Sequence, residues 1–324
     1  MKRTDKNIMV KSSDSGLYTQ RLLALPVLQD VDDLAKLIRV TPELICKYVS
    51  NNKHHYFQFK EEKKTPGQFR DISKPNQELK AIQRWILRNI LDKLKPSPYA
   101  KGFIRGQNLT ANAKPHEGKQ YVLNIDLKDF FSSVPAKNVC TLFKSLGYSP
   151  LLSFQLANIC TLEGSLPQGA PTSPSLSNLV TIRLDYRIGK YCEKFALTYT
   201  RYADDITISG NKLSIIKKAR SMVSKILSEE GFTIHPVKNK LSGPRVRREV
   251  TGLVVNEKLG IGKKKFNYYR TKMFLLKKNQ DPSFESICIG IIAYVKSVDK
   301  IKANKLIDYY KKLQGNTSKI SLVI

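Results

Sequence analysis

Apolar positions recur along this chain with a period of about 3.6 residues in some segments and two in others, and the switches mark out its elements. The first sixteen residues are polar and are expected to fray. In LQDVDDLAKLIRVTPELICKYVSNN, Leu34, Leu37 and Ile38 share one helical face, and Leu44, Ile45 and Val49 share a second. Thr41-Pro42 between them restarts the chain as N-cap and first helical residue. This predicts a packing pair of short helices, a pattern shared with DNA-reading helix-turn-helix units. Residues 53–75 alternate aromatic and basic groups about Thr65-Pro66-Gly67 and predict a basic hairpin whose tip can lie on phosphates; for Arg70 the pattern leaves open a solvated side chain or, given the motifs that follow, one that holds a triphosphate. Leu79, Ile82, Ile86, Ile90 and Leu94 form a stripe that predicts a helix over 77–94, stopped by Pro96 and Pro98.

The period then shortens. Residues 121–126 alternate apolar and polar and read as a buried strand ending in Asp126. Two β-rich runs, 197–202 and 206–209, flank Ala203-Asp204-Asp205 and read as a hairpin with two acids at its tip. Between these strands, Gln168-Gly169 predicts a tight loop in which glycine lets the backbone approach a ligand. Thr172 or Ser173 is expected to cap a helix with Pro174 in its first turn, its apolar stripe running through Leu176, Leu179, Val180, Leu184 and Ile188. Further on, Ile215, Ala219, Met222, Val223 and Ile226 mark an amphipathic helix over 212–230, with Gly231 as its C-cap. Residues 250–255 read as a strand, and Ile287, Ile291, Tyr294 and Val295 as a buried helical face.

Composition adds a partner to this picture. Hydrophobic residues make up 41% of the 324, enough for a real core. Fifty-six Lys and Arg face 27 Asp and Glu, a formal net charge of +29. Small domains more often carry about 2–8 net charges, and an excess this large repels itself unless a polyanion is bound. Nucleic acid fits better than a membrane surface. No apolar run approaches the roughly 18 residues that would span a bilayer, and no apolar segment follows the basic N-terminus as in a signal peptide. The five cysteines form no C-x-x-C pair, which points to reduced, buried thiols and a cytoplasmic location.

Against this basic background the acids Asp126, Asp204 and Asp205 stand out. A carboxylate between Ile125 and Leu127 is costly unless it is paired or binds a cation. A strand ending in Asp can pair beside the hairpin and bring three carboxylates to one point. Such a cluster suits two Mg²⁺ ions, hard cations that take oxygen ligands and support phosphoryl transfer.

Asp126 within NIDLKDFF, the segment LPQGAPTSPSLSN at 166–178, and YADD at 202–205 resemble the palm motifs of reverse transcriptases in order and spacing. Asn112-Ala113-Lys114-Pro115-His116 and Val250-Thr251-Gly252 are similar to the N-A-x-x-H and V-T-G patterns of the bacterial retron group. The resemblance runs from about residue 20 to the last helices. It implies an α+β right-hand polymerase with a mainly antiparallel palm sheet: N-terminal helices and fingers over 1–120, palm over 121–254 with a helical insertion near 135–165, and a basic helical thumb over 255–324. It implies that Asp126, Asp204 and Asp205 hold the metals with the Leu127 carbonyl, and that Lys238, or Lys240 nearby, stands near the pyrophosphate as a general acid. Phe131 falls where the sugar 2′ position is screened, and Gln168 and Gly169 where the incoming dNTP and template base are met. Asn112 and His116 are implied to contact RNA or to support the structure that does, without a catalytic part.

The same resemblance implies RNA-directed DNA synthesis on a cognate structured noncoding RNA, started from an RNA 2′-hydroxyl. The product would be a short DNA branched from RNA, and the setting phage defence with a possible effector protein encoded at the locus. The tail independently points to nucleic acid. Over 255–324, fifteen Lys and Arg face five Asp and Glu, and Lys263, Lys264 and Lys265 lead into Phe266, Tyr268 and Tyr269. Two readings compete: a group II intron-like or standalone defence reverse transcriptase, and an RNA-binding scaffold with a spent polymerase fold. The three retained acids argue against the scaffold.

Overall fold

A computed structural model describes residues 14–62 and 67–315. Of the first sixteen residues, expected to fray, 1–13 lie outside the described residues, as do the turn residues Thr65 and Pro66, whereas Asp14, Ser15 and Gly16 are helical and open α1. In chain order the elements begin with α1 (Asp14–Leu22), α2 (Val31–Ile38), α3 (Pro42–Ser50), β1 (Tyr56–Glu62), β2 (Phe69–Pro75), α4 (Gln77–Asn89), α5 (Leu109–Ala113) and β3 (Tyr121–Lys128). Next come α6 (Ala136–Ser145), α7 (Pro150–Cys160), α8 (Ser173–Val180), α9 (Ile182–Lys194), β4 (Thr198–Tyr202), β5 (Asp205–Gly210) and α10 (Leu213–Glu229). The last are β6 (Thr233–Ile234), β7 (Lys240–Ser242), β8 (Glu249–Val250), β9 (Leu253–Val254), α11 (Lys263–Lys278), α12 (Phe284–Lys296) and α13 (Lys300–Gln314). Every strand pairing among the described residues is antiparallel. The chain divides into two compact units that interleave in sequence, one drawn from 1–104, 127–188 and 224–234, the other from 105–126, 189–223 and 235–324.

In the first unit, α2 starts at Asp30, whose side chain accepts from the Asp33 amide, and α3 starts with Pro42 after Thr41. The pair buries Leu34 against Ile45 and Tyr48 as packing helices do. Helix α4 is capped by Asn76, accepting from the Leu79 amide, and its stripe Leu79, Ile82 and Ile86 is fully buried. It ends at Asn89 rather than at 94, and the chain continues through a 3₁₀ turn at Leu91–Lys93. Gln83 is buried on the same face and donates to Tyr56 Oη and to the Ile159 carbonyl, tying the helix to β1 and α7.

The helix expected after Gly169 is broken in two. Thr181 donates its hydroxyl back to the Ser177 carbonyl at 2.7 Å, and α8 gives way to α9 there. Its start also differs from expectation. Neither Thr172 nor Ser173 makes a side-chain cap; Ser173 instead donates to the Pro167 carbonyl at 2.7 Å and folds the preceding loop back on the helix.

The second unit is built on the ladder β4-β5-β3, extended by β7 on the far side of β3. One face, with Leu123, Ile125, Ile206 and Ile208, is apolar and buried. Residues 250–255, expected as one strand, form a tight hairpin instead. Glu249 pairs with Val254 and Val250 with Leu253, and Thr251 and Gly252 both take positive φ, 46° and 78°. A two-residue turn of this hand matches the twist of its flanking strands. Val250, Leu253 and Val255 then join Met273, Cys288, Ile292, Val295, Ala303 and Leu306 in one core, on which α11, α12 and α13 pack.

Candidate catalytic site

The acid-bearing hairpin is set by register. Thr198 pairs with Ser209, Thr200 with Thr207 and Tyr202 with Asp205, which leaves Ala203 and Asp204 as the two turn residues. Ala203 has φ 57°, a left-handed conformation that glycine would adopt without strain. Its carbonyl accepts from Arg201 Nη1 at 3.0 Å, and Arg201 is fully buried, so the strained tip is held from within.

Strand β3 pairs with β5 so that Asp126 lies directly opposite Asp205. On the other side of β3, β7 pairs Val122 with Ser242 and Asn124 with Lys240. Carried two residues further, that register puts Lys238 beside Asp126. Its ammonium donates to both carboxylate oxygens of Asp126 at 3.2 Å. The row Tyr202, Asp205, Asp126, Lys238 therefore crosses the end of the sheet, with Asp204 next to it at the tip. Directly opposed residues of antiparallel strands point to the same face, so the two carboxylates are neighbours.

Crowding by protein withholds water from the Asp205 carboxyl, and the charges of Asp204 and Asp126 repel its own. Together they raise it from its ordinary 3.8 to about 6, with Lys238 pulling the other way. Asp205 keeps a solvent-exposed side, so the repulsion is the contribution that a bound cation relieves. The expected convergence of three carboxylates is only partly met. Among the described residues no three acidic, His or Cys groups stand close enough to hold an ion as they are. Lys238 instead occupies Asp126 as its counter-charge. The donor set is nonetheless all carboxylate, which fits a hard divalent cation. Leu127, expected to offer its carbonyl, is buried and belongs to the ladder with β6 through Ile234.

The first unit carries a separate cleft of about 660 Å³ whose lining includes Phe59, Phe69, Arg70, Ser73 and Gln168. Arg70 Nε pairs with Glu61 at 2.8 Å across the β1–β2 hairpin. Both side chains are about half exposed, and an exposed pair of this kind contributes at most about 1 kcal/mol, so a phosphate can compete for the guanidinium. The Gln168 carbonyl accepts from the Ser73 amide at 2.8 Å. Gly169 has φ 135°, and a β-carbon there would lie 2.6 Å from the Ser73 carbonyl oxygen. Only glycine lets this loop lie on β2. Phe131 is half-buried, its ring 5.6 Å from Phe130 and 6.0 Å from Phe103; Phe130 is core, packed on Phe232.

The expectation for Asn112 and His116 needs correction. Both side chains are fully buried, which removes direct RNA contact and leaves the structural alternative. His116 Nδ1 lies 2.7 Å from Ser209 Oγ, and Nε2 lies 2.8 Å from Thr200 Oγ1. Lys263 and Lys264 are exposed at the start of α11. Lys265 is half-buried and donates to Tyr294 Oη at 2.9 Å; burial opposes its charge, but the tyrosine contact outweighs that and holds it above its ordinary value. Sequence reasoning missed Arg201 and the polar row of Thr200, Thr207 and Asn124. The two-residue alternation in LTYTRY and DITISG was the available signal, since it puts Thr200, Thr207 and Ser209 on the Asp205 face.

Comparison with known proteins bears on this arrangement. Residues 61–268 match the family described as reverse transcriptase (RNA-dependent DNA polymerase). The chain is 42% identical over 304 residues to the retron Ec86 reverse transcriptase of Escherichia coli, covering 93% of this chain and 95% of that one. It is 33% identical over 305 residues to the retron Mx65 reverse transcriptase of Myxococcus xanthus, covering 87% and 71%. Among solved structures, telomerase from Candida albicans, in complex with a fragment of telomeric RNA, aligns with TM-score 0.48 and 12% identity over 85% of this chain and 63% of that one.

Two outcomes are expected from the geometry. The folded protein holds the Asp205 proton more tightly than the unfolded chain, so protonation favours folding. That contribution is complete below the ordinary 3.8 and is lost as pH rises through about 6. In chelator, Asp205→Asn should therefore exceed the wild type in urea stability at pH 7.5 and converge with it toward pH 4; a pH-independent difference would contradict the assignment. Gly169→Ala should destabilise by roughly 1–3 kcal/mol in the same assay, because the β-carbon meets backbone and the φ is strained.

Proposed function

The chain belongs to the reverse transcriptase family and, within it, to the bacterial retron enzymes, with the right-hand polymerase fold and RNA-directed DNA polymerase activity of that family; from this premise we propose that it copies part of a structured noncoding RNA encoded beside its own gene into a short single-stranded DNA. Synthesis starts from a 2′-hydroxyl of that RNA, so the product stays branched from it. Retron kinship supports this priming mode, a cytoplasmic setting, and a part in phage defence alongside an effector protein encoded at the same locus. Among the described residues no helix is long and apolar enough to cross a membrane.

The observation that carries the catalytic reading is the opposed pair Asp126 and Asp205, with Asp204 beside them at the hairpin tip. Enzymes of this family use divalent metal ions. Here two Mg²⁺ ions held by Asp126, Asp204 and Asp205, with the Leu127 carbonyl, would lower the pKa of the attacking hydroxyl and stabilise charge on the departing pyrophosphate. The chain's own part is to keep the carboxylates adjacent on one rigid sheet end. A new bond forms between the hydroxyl oxygen and the α-phosphorus, and the bond from that phosphorus to pyrophosphate breaks. Lys238, which donates to both Asp126 carboxylate oxygens, is the chain's own basic group at this sheet end and supplies the proton or charge that the leaving group needs. The β7 register favours Lys238 over Lys240 for this, because Lys240 pairs with Asn124, one step back along the strand.

In the first unit, Arg70, Gln168 and Gly169 serve the incoming dNTP: the guanidinium for its phosphates, and the loop on β2 for base and sugar. Phe131 screens the sugar, its flat ring leaving no room for a 2′-hydroxyl. In the second unit the basic helices hold nucleic acid. Lys263, Lys264 and Lys265 stand in the first turn of α11, where cations oppose the helix dipole. A phosphate backbone there removes that penalty.

Two experiments test the reading. In cells carrying the native locus, the wild type should yield a discrete short DNA whose gel mobility changes after RNase or debranching treatment, and Asp204→Ala/Asp205→Ala should yield none. Equal product from the double mutant, or no product from the wild type with the RNA confirmed present, would overturn it. Phe131→Ala should raise ribonucleotide incorporation about tenfold or more relative to deoxynucleotides, a change of roughly 1.4 kcal/mol in discrimination. An unchanged ratio would remove the steric role.

A further inference from the structure

The N-A-x-x-H segment at 112–116 and the V-T-G turn at 250–252 have no role in the chemistry above, yet they meet on the sheet face that carries the carboxylates. One two-residue step behind the row of Asp205 and Asp126, about 7 Å along the strands, lies the row Thr200, Thr207, Asn124. One step further lies Thr198, Ser209, Val122. These side chains are polar for the most part and yet lie inside the protein; Thr200, Thr207 and Ser209 are at most 2% exposed. Each finds a partner. Thr207 donates to Asn124 Oδ1 at 3.2 Å, and Asn124 Nδ2 donates to the Glu249 carbonyl at 3.0 Å, at the foot of the V-T-G turn. Thr200 donates to the Asn112 carbonyl at 3.4 Å, and Asn112 Nδ2 donates to Thr251 Oγ1 at 3.4 Å.

His116 closes the circuit by bonding both strands of the acid-bearing hairpin, Thr200 on β4 and Ser209 on β5. With the Thr200 proton committed to the Asn112 carbonyl, His116 Nε2 carries the donated hydrogen and Nδ1 accepts from Ser209. Burial pushes this imidazole down to about 3, which keeps that neutral tautomer fixed at working pH. A second observation comes from the turn. Thr251 is β-branched and stands at φ 46°, a left-handed conformation that strains such a residue and that glycine adopts freely. The strain is accounted for if the hydroxyl is needed where Asn112 can reach it.

We propose that Asn112, His116 and Thr251 are positioning residues for DNA synthesis: they tie the V-T-G turn to β4 and β5 and so fix the carboxylate row at the end of the same strands. The proposal rests on the reading of Asp126, Asp204 and Asp205 as the catalytic carboxylates. A merely structural network would move stability and activity together. A positioning network lets them separate.

The full-length chain is tested as Thr251→Gly, His116→Leu, His116→Gln and Asp205→Ala. The readouts are thermal unfolding, Mn²⁺ binding by the RNA-free protein, and dTTP incorporation on an RNA template with an annealed DNA primer. Glycine takes the turn conformation without strain, so Thr251→Gly should keep or raise the melting temperature. It should nonetheless lower kcat about tenfold, leave KM for dTTP within about twofold, and weaken Mn²⁺ binding. His116→Leu should lower kcat up to about a hundredfold, and His116→Gln should recover part of that because its amide still reaches one hydroxyl. Wild-type kcat and Mn²⁺ affinity in Thr251→Gly, or losses in the His116 variants that only follow the folded fraction, would overturn the proposal. If His116→Leu does not fold, Thr251→Gly decides alone. Asp205→Ala separates the two levels: retained synthesis there removes the carboxylate reading and this proposal with it, whereas an inactive Asp205→Ala beside an unaffected Thr251→Gly removes only the positioning role.

Discussion

Two carboxylates directly opposed across an antiparallel ladder repel each other, and the second unit is organised around holding Asp126 and Asp205 in that position. Like charges in such a pair cost on the order of 0.2–1 kcal/mol even where water screens them. Poorer hydration raises the cost here, as the Asp205 shift shows. The opposition is sustained from three sides. Behind the sheet, Leu123, Ile125, Ile206 and Ile208 bury an apolar face that a one-residue slip would turn outward, so the register cannot drift to separate the charges. Beside β3, Lys238 lends Asp126 a counter-charge. At the tip, buried Arg201 grips the Ala203 carbonyl and holds a turn that alanine would not choose. A cation bound at this sheet end would relieve the repulsion that the register maintains.

The same sheet shows how a buried polar face can be made rigid. Thr200, Thr207, Ser209, Asn124 and His116 would each cost free energy if left unpartnered in the interior. Paired as they are, they fix rotamers and leave few alternative arrangements. The Asn112 side-chain oxygen is an exception, buried without a partner. It is tolerable because the amide's other end and its own backbone carbonyl are both engaged. The polar face also explains why β8 and β9 turn so tightly: the hairpin has to bring Thr251 to Asn112 while Val250 and Leu253 enter the core shared with α11, α12 and α13.

Much of this was readable from residue order, for identifiable reasons. The strand that carries Asp126, the hairpin about Asp204 and the stripe of α4 are local patterns whose burial agrees with their period, although the strand runs on to Lys128 and does not end at Asp126. The misses have tertiary causes. Nothing local in V-T-G distinguishes a strand from a hairpin, because threonine disfavours the turn conformation it adopts. The break at Thr181 depends on one back-bonded hydroxyl within an otherwise continuous apolar stripe. For His116 the motif leaves RNA contact and structural support both open, and only the fold shows both its nitrogens satisfied by strands more than eighty residues away. Arg70 carries the opposite lesson: its pairing with Glu61 follows from the hairpin register, which alternating aromatics alone did not fix.

The charge distribution ties these points together. A chain with net charge +29 repels free divalent cations as well as itself, so an acidic site within it cannot rely on long-range attraction to fill. Local geometry would have to supply the affinity, and a cation at the sheet end would relieve the repulsion between the opposed carboxylates. Binding of RNA changes the balance further. Phosphates laid against exposed lysines such as Lys263 and Lys264 would neutralise the excess that disfavours cations, and would remove the conflict of those lysines with the α11 dipole. On the proposed function, nucleic acid and metal would then support each other's binding. Three of the 27 Asp and Glu meet at the sheet end, where Asp205 faces like charge, whereas Glu61, Glu229 and Glu230 lie against arginines elsewhere in the fold.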